Sequence, residues 1–219
     1  MPKMIRSTLA SSTDLELRRL LEAQYRSQNL ESFRTNQTIP LQPDRLWVVY
    51  RGAVALETLL PDGSEAILGF ASTGTFFGQV LSAVNPYRAS ALAPTDLLPL
   101  SIDQVQRSPI LARNLLFHAL RRLDQASDLK SLLTLKRADE RLWQLLQLLD
   151  REFGQPLGSA RRLNLRLTHR QLASAAQTTR VTVTRLLQLF QAQGRIEIDA
   201  DRHLWFPAGG KNSPDARGL

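Results

Sequence analysis

The spacing of apolar side chains changes three times along this chain. An opening stretch, Asp14–Glu31, places Leu15, Leu17, Leu20, Leu21 and Tyr25 to one side and predicts a short helix. From Ser32 to about Ser101 the apolar residues come in short dense runs. Trp47-Val48-Val49-Tyr50 is β-rich and ends at Gly52, while Ala53–Leu60 and Glu65–Phe70 flank Pro61-Asp62-Gly63, a hairpin signal. From about Pro109 to Leu135 the spacing becomes four and three: Ala112, Leu116, Ala119, Leu123, Ala126, Lys130 and Leu133 form a heptad seam on a long helix. A further helix, Ala138–Phe153, buries Leu142, Leu145, Leu146 and Leu149 and stops at Gly154–Gly158. Strands are predicted at Arg162–Leu167, Arg195–Ile198 and His203–Phe206, and a frayed Gly/Pro/Ser-rich tail from Pro207.

This order of elements predicts an α+β fold in three parts. Residues 1–108 hold the first helix and a many-stranded sandwich or roll. Residues 109–136 are the long helix, and residues 137–219 a smaller helical domain with a wing of strands; a hinge falls near Thr134–Ala138. The seam admits two partners, the flank of the roll or a second copy of the same helix. Lys130 lies on that seam, where a charge is expected to cost stability and either to fix register or to face an acid.

The most specific pattern lies between Leu167 and Leu187. Thr168 can cap a first helix, its hydroxyl accepting a free N–H of the first turn. Leu172, Ala173 and Ala176 give that helix a small apolar face that allows a second helix to cross closely. Gln177 occupies the turn, and Thr179 caps the second helix, whose Val183, Leu186, Leu187 and Phe190 point inward. Arg180, Thr182, Thr184 and Arg185 are left largely outside. This is the layout of a helix-turn-helix whose second helix enters a DNA major groove. A guanidinium offers two parallel donors that match O6 and N7 of guanine, and positions 180 and 185 would address different base pairs; as alternatives, either is a phosphate clamp or a surface salt bridge.

Charge sharpens that reading. The chain carries a formal +8, and from Gln155 onward ten Lys and Arg stand against four Asp and Glu, a net +6. Phosphate backbones reward such placement through counterion release. No apolar run approaches the roughly 18 residues of a membrane helix, and the N-terminus lacks the apolar core of a secretory signal, so the cytoplasm is the expected compartment. The absence of cysteine excludes disulfides, thiol catalysis and cysteine-bound clusters. His118, His169 and His203 are too scattered to suggest a metal site and read as surface residues; Asp139 and Glu140 read as solvated charges or a helix flank. No phosphate loop or nucleophile elbow stands out, so an enzyme is not expected.

The run Thr179-Arg180-Val181-Thr182-Val183-Thr184-Arg185-Leu186-Leu187 resembles the CRP/FNR family of transcription regulators, and within it the nitrogen-control branch. The resemblance extends through Phe77-Gly78-Gln79-Val80-Leu81-Ser82, Ile102-Asp103-Gln104-Val105 and Arg151-Glu152-Phe153-Gly154, covering about Ser32 to Phe206. It implies a cyclic-nucleotide-binding-like β-roll as sensory domain, a dimerisation helix and a C-terminal winged helix-turn-helix. Base contacts would then come from Arg180, Arg185 and Val181 (against a thymine methyl), and phosphate contacts from Thr168, Arg170, Gln171, Thr179 and Thr182. It further implies a homodimer on double-stranded DNA, a two-fold operator with a GTA half-site, and contact with RNA polymerase. At Gln177 the family usually has Gly; a non-Gly residue there must accept a left-handed or strained backbone at roughly 1–2 kcal/mol.

The same resemblance frames the effector. Cyclic-AMP binders grip the nucleotide with a Gly-Glu-Leu segment and an Arg-Ser pair. Here the first reads Gly78-Gln79-Val80, and Tyr87-Arg88-Ala89-Ser90 provides no such pair. Glutamine can donate where glutamate only accepts, which argues against cyclic AMP. Nitrogen-control members bind 2-oxoglutarate through arginines of the roll and the long helix. Arg88 and Arg122 are the candidates for a small anionic effector, with Phe77, Gly78, Gln79 and Val80 beside them; as alternatives both arginines are surface or interface charges. Two other readings remain at this point, an effector-independent regulator and a ligand-binding interaction module with a vestigial basic domain.

Overall fold

A computed structural model describes residues 30–207. The helix expected over Asp14–Glu31 lies outside them except for its last two residues, of which Glu31 opens a strand. The tail beyond Pro207 also lies outside. The chain divides into two compact units, one holding the residues to Ser64 with Leu68–Asp124, the other Glu65–Ile67 with Gln125 onward.

The first unit is built on two four-stranded sheets. One has the order β1 (Glu31–Phe33), β8 (Thr95–Ser101), β3 (Arg45–Arg51), β6 (Phe76–Phe77); the other β2 (Thr38–Ile39), β7 (Arg88–Ala91), β4 (Val54–Leu59), β5 (Glu65–Ala71). The hairpin expected at Pro61-Asp62-Gly63 joins β4 to β5. Asp62 there accepts both the amide and the hydroxyl of Ser64, which holds its carboxyl below the usual range, and Gly63 takes φ 81°.

The unbroken apolar run in β3 follows from burial on both faces. Trp47 and Val49 point between the sheets and pack with Phe33, Val54, Leu56, Phe77, Ala89 and Leu97. Leu46 and Val48, one position out of phase, face the other way onto Leu98, Leu100 and the helical residues Val105 and Leu111. Those helices are α1 (Ile102–Arg107), closed by a Ser101/Gln104 capping box, and α2 (Pro109–Leu133). Pro109 stands in the first turn of α2, where its missing N–H costs nothing.

α2 has one buried and one open face. Leu111, Asn114, His118, Gln125, Leu129 and Leu132 are buried. The seam residues Ala112, Leu116, Ala119, Leu123, Ala126 and Lys130 are exposed in the single chain, with Leu133 half-buried. The seam is therefore not the face that packs on the roll; Leu111 and Leu115 pack there instead.

The second unit centres on α3 (Ala138–Phe153), which buries Leu142, Trp143, Leu145, Leu146, Leu148 and Leu149. Against it lie α4 (His169–Ala175), α5 (Arg180–Ala192) and a four-stranded sheet of order β11 (Glu197–Ile198), β12 (Leu204–Phe206), β10 (Ala160–Leu163), β9 (Gly154–Leu157). Trp143 meets Phe190 edge-on at 5.4 Å, and the Arg195 guanidinium stacks over the Trp143 ring at 3.7 Å. Boundaries differ from the sequence reading: the strands expected at Arg195–Ile198 and His203–Phe206 shorten to Glu197–Ile198 and Leu204–Phe206, and two others shift further. Gly154–Gly158 ends the helix but continues as β9, which pairs with β10 across a turn where Gly158 takes φ 62°. The strand expected over Arg162–Leu167 occupies Ala160–Leu163, and the chain then runs irregularly to Thr168.

Candidate nucleic-acid interface

The two helices of the motif begin where their capping residues predict. Thr168 accepts from the Gln171 amide at 3.2 Å while the Gln171 side chain accepts from the Thr168 amide at 2.9 Å, a reciprocal capping box. Thr179 accepts from the Thr182 amide at 3.1 Å, and their hydroxyls lie 2.9 Å apart. Four of the five expected phosphate contacts thus also build the helix starts. Their hydroxyl and amide groups sit at N-termini, where free N–H groups and the helix dipole favour an anion. Arg170, the fifth, is exposed.

Between the helices Gln177 adopts φ 46°, the left-handed conformation its position demands. The turn closes by Thr178 N–H to Ala173 O at 2.9 Å and Gln177 N–H to Ser174 O at 3.2 Å. Like Thr182, Thr184, read from the sequence as largely outside, is half-buried. Its hydroxyl bonds the Arg180 carbonyl at 3.0 Å and His169 Nδ1 at 2.8 Å, which ties α5 to α4. His169 therefore belongs to the scaffold of the motif.

On the outer face of α5, Arg180, Val181 and Arg185 are all exposed, Val181 at 78%. Among the described residues neither guanidinium has a hydrogen-bond or ion-pair partner. A bare valine between two uncommitted arginines gains nothing from water. It fits a groove floor that offers methyl groups and acceptors.

A cleft of about 1030 Å³ opens beside this face, lined by Arg166, Arg170, Arg180 and Arg202 together with Leu172, Leu187 and Leu204. Arg166 and Arg202 were not singled out in the sequence. Arg202 sits in the β11–β12 turn at φ 63°. Asp199 organises that turn, accepting from the His203 amide at 2.8 Å and from Trp205 Nε1 at 3.0 Å, with Arg162 at 3.6 Å. Those hydrogen bonds, the Trp205 one foremost, pull its carboxyl down to about 2. Arg166 lies 3.6 Å from Asp201 in an exposed pair.

The effector candidates lie in the first unit. Phe77 is part of the core between the sheets. Gly78 is buried, and a Cβ there would meet the Arg45 carbonyl at 2.7 Å, so the close approach of two strands requires glycine. Gln79 and Val80 belong to a single 3-10 turn, Gln79–Leu81, with Val80 exposed. Arg88 pairs across the sheet with Glu57. Arg122 donates to the Phe70 carbonyl at 3.4 Å and lies near the Tyr87 hydroxyl, whose acidity burial weakens and Arg122 partly restores. Among the described residues no group of three His, Cys, Asp or Glu is gathered for a metal, and no helix is long and apolar enough to cross a membrane.

Comparison with known proteins bears on both units. Residues 30–114 match the cyclic nucleotide-binding domain and residues 140–206 the Crp-like helix-turn-helix domain. The chain is 33% identical to a global nitrogen regulator of Nostoc sp. over 77% of its own length and 81% of the relative's. It is 30% identical to the regulatory protein CysR of Synechococcus elongatus, over 72% and 74%. FixK2 of Bradyrhizobium japonicum shares the fold with a TM-score of 0.69 at 23% identity, covering 85% of this chain and 94% of that one.

Proposed function

This chain belongs to the CRP/FNR family of DNA-binding transcription regulators, and from that premise we propose that it works as a homodimer on a two-fold operator. The observation that carries the reading is the exposed Arg180-Val181 pair with Arg185 on α5, just past the Thr179 cap, their guanidiniums without a partner among the described residues. Arg180 and Arg185 read base edges, and Val181 contacts a thymine methyl. Thr168, Arg170, Gln171, Thr179 and Thr182 hold phosphates. Two copies joined along the open seam of α2 present their α5 helices to half-sites about 34 Å apart, one turn of DNA.

The roll takes a small anionic effector other than cyclic AMP, 2-oxoglutarate being the candidate. The nearness of Arg122 to the Tyr87 hydroxyl and the Phe70 carbonyl supports this, since a guanidinium there can meet a carboxylate bidentately. An effector acts only by binding two states of the dimer unequally. As a regulator it works in the cytoplasm alongside RNA polymerase.

The test is Arg180→Ala against single-base variants of a selected operator. A loss of about 1–3 kcal/mol confined to one base pair, with relaxed preference there, supports base reading. A uniform loss over every variant moves Arg180 to the phosphate class. Repeating the titration with 2-oxoglutarate and with cyclic AMP tests the effector; equal affinity in all conditions overturns it.

A further inference from the structure

A helix ends in carbonyls that no further turn satisfies, and that end carries partial negative charge. In the second unit one cation binds carbonyls of the segments that follow two such ends. Arg141, in the first turn of α3, donates through Nε to the Ala176 carbonyl at 2.9 Å and through Nη2 to the Gln177 carbonyl at 3.1 Å. Through Nη1 it donates to the carbonyls of Leu135 at 2.9 Å and Lys136 at 3.0 Å. Ala176 caps the C-terminus of α4, and Gln177 is the left-handed residue that starts the turn into α5. Leu135 and Lys136 lie two and three residues past Leu133, the last residue of α2. The neighbouring charges Arg137, Asp139 and Glu140 pair among themselves, and Arg137 stays exposed.

We propose that Arg141 is a positioning residue for DNA recognition. It holds the α4–α5 turn, including the strained Gln177 peptide, and so sets the direction in which α5 leaves that turn. The same guanidinium anchors the turn to the segment after α2. The proposal rests on the reading that α5 enters the groove. Arg141 is half-buried and its donors face carbonyls of its own chain, so it acts through α5 rather than by touching DNA. Five N–H donors in a rigid plane make this geometry available to arginine; a lysine ammonium keeps the charge but cannot span four carbonyls on two sides.

The experiment uses the full chain and a duplex selected from random DNA by the unaltered protein, with an unrelated duplex of equal length beside it. Kd is measured by fluorescence anisotropy and referred to the DNA-competent fraction from a stoichiometric titration. Arg141→Lys is expected to weaken the selected duplex at least tenfold, and Arg141→Gln about thirtyfold. The unrelated duplex should change less than threefold. Adding Gln177→Gly to Arg141→Lys should recover at least threefold, because glycine enters the left-handed turn unaided. A purely structural role would lower the competent fraction or the melting temperature without changing this ratio of affinities. If Arg141→Gln fails to fold, Arg141→Lys with and without Gln177→Gly decides alone. A Kd ratio within twofold of the unaltered protein, or no recovery from Gln177→Gly, overturns the proposal. Arg180→Ala serves as reference: if it leaves the selected duplex untouched, the groove reading itself falls, whereas if it weakens binding and Arg141→Lys does not, only the role of Arg141 falls.

Discussion

Replacing Leu116 and Leu123 together by Asp tests a second copy of the chain as the partner of the α2 seam. In the single chain these leucines are 61% and 64% exposed. Full burial of a leucine contributes about 1.5–3 kcal/mol, so covering the exposed part of each contributes about 1–2 kcal/mol. With two such residues on each of two protomers, the seam supplies roughly 4–8 kcal/mol to association, equivalent to about three to six decades in dimer Kd. A carboxylate at the same place adds a desolvation cost and pushes in the same direction. Sedimentation equilibrium over a wide concentration range reads the change directly. The roll should be indifferent, because Leu111 and Leu115 are the helix residues packed on it, and surface substitutions usually stay within about 0.5 kcal/mol. A dimer Kd that moves less than tenfold refutes the seam as the interface. A monomer that melts early refutes the reasoning from the other side, since it would show the leucines already packed within the chain.

Two further outcomes follow from the second unit. Asp150 is buried and takes Arg161 Nε on both oxygens at 3.0 and 2.8 Å, while Arg161 Nη2 reaches the carbonyls of Asp150 and Gly154. Because Arg161 is 41% exposed, part of the attraction is screened, and Asp150→Ala should cost about 1–3 kcal/mol in a chemical melt followed by tryptophan fluorescence; no loss would mean the pair is decorative. Asp199 titrates near 2 in the fold, below its ordinary 3.8, so its bonds to Trp205 and His203 contribute fully above about pH 4 and are lost as the pH falls through 2. Asp199→Asn should therefore flatten the acid limb of the stability profile between those values; an unchanged limb would assign acid sensitivity to other carboxylates.

What was legible in the sequence is what side chains impose on their own backbone. Thr168, Gln171 and Thr179 announce helix starts because their oxygens bond amides two or three residues on, and the turn between them forces the left-handed Gln177 whatever surrounds it. The open seam was legible for the same reason, as a periodicity of one helix. The hidden parts depend on partners far along the chain. Strand β9 forms from a segment that reads as a helix stop, because Arg161 of β10 is drawn onto Asp150 and the carbonyl of Gly154. Thr184 reads as exposed until His169, 15 residues earlier, is brought beside it.

Charge shows the same division most clearly. The net +6 beyond Gln155 is evident from the sequence, but its useful portion is not. Arg161 is committed to Asp150, Arg162 to Asp199 and His203, and Arg195 to the rings of Trp143 and Phe190. Burial lowers the Arg195 pKa, as expected of a cation held among rings. What stays exposed is a smaller set, Arg166, Arg170, Arg180, Arg185 and Arg202, gathered from a loop, two helices and a turn, with Arg166 in a loose pair with Asp201 and Arg170 with Glu65. Arg141 belongs to neither set. Its partners are backbone carbonyls, which every residue possesses and no sequence marks, so the part proposed for it in aiming α5 becomes visible only when the segments after α2 and α4 are seen to converge on it.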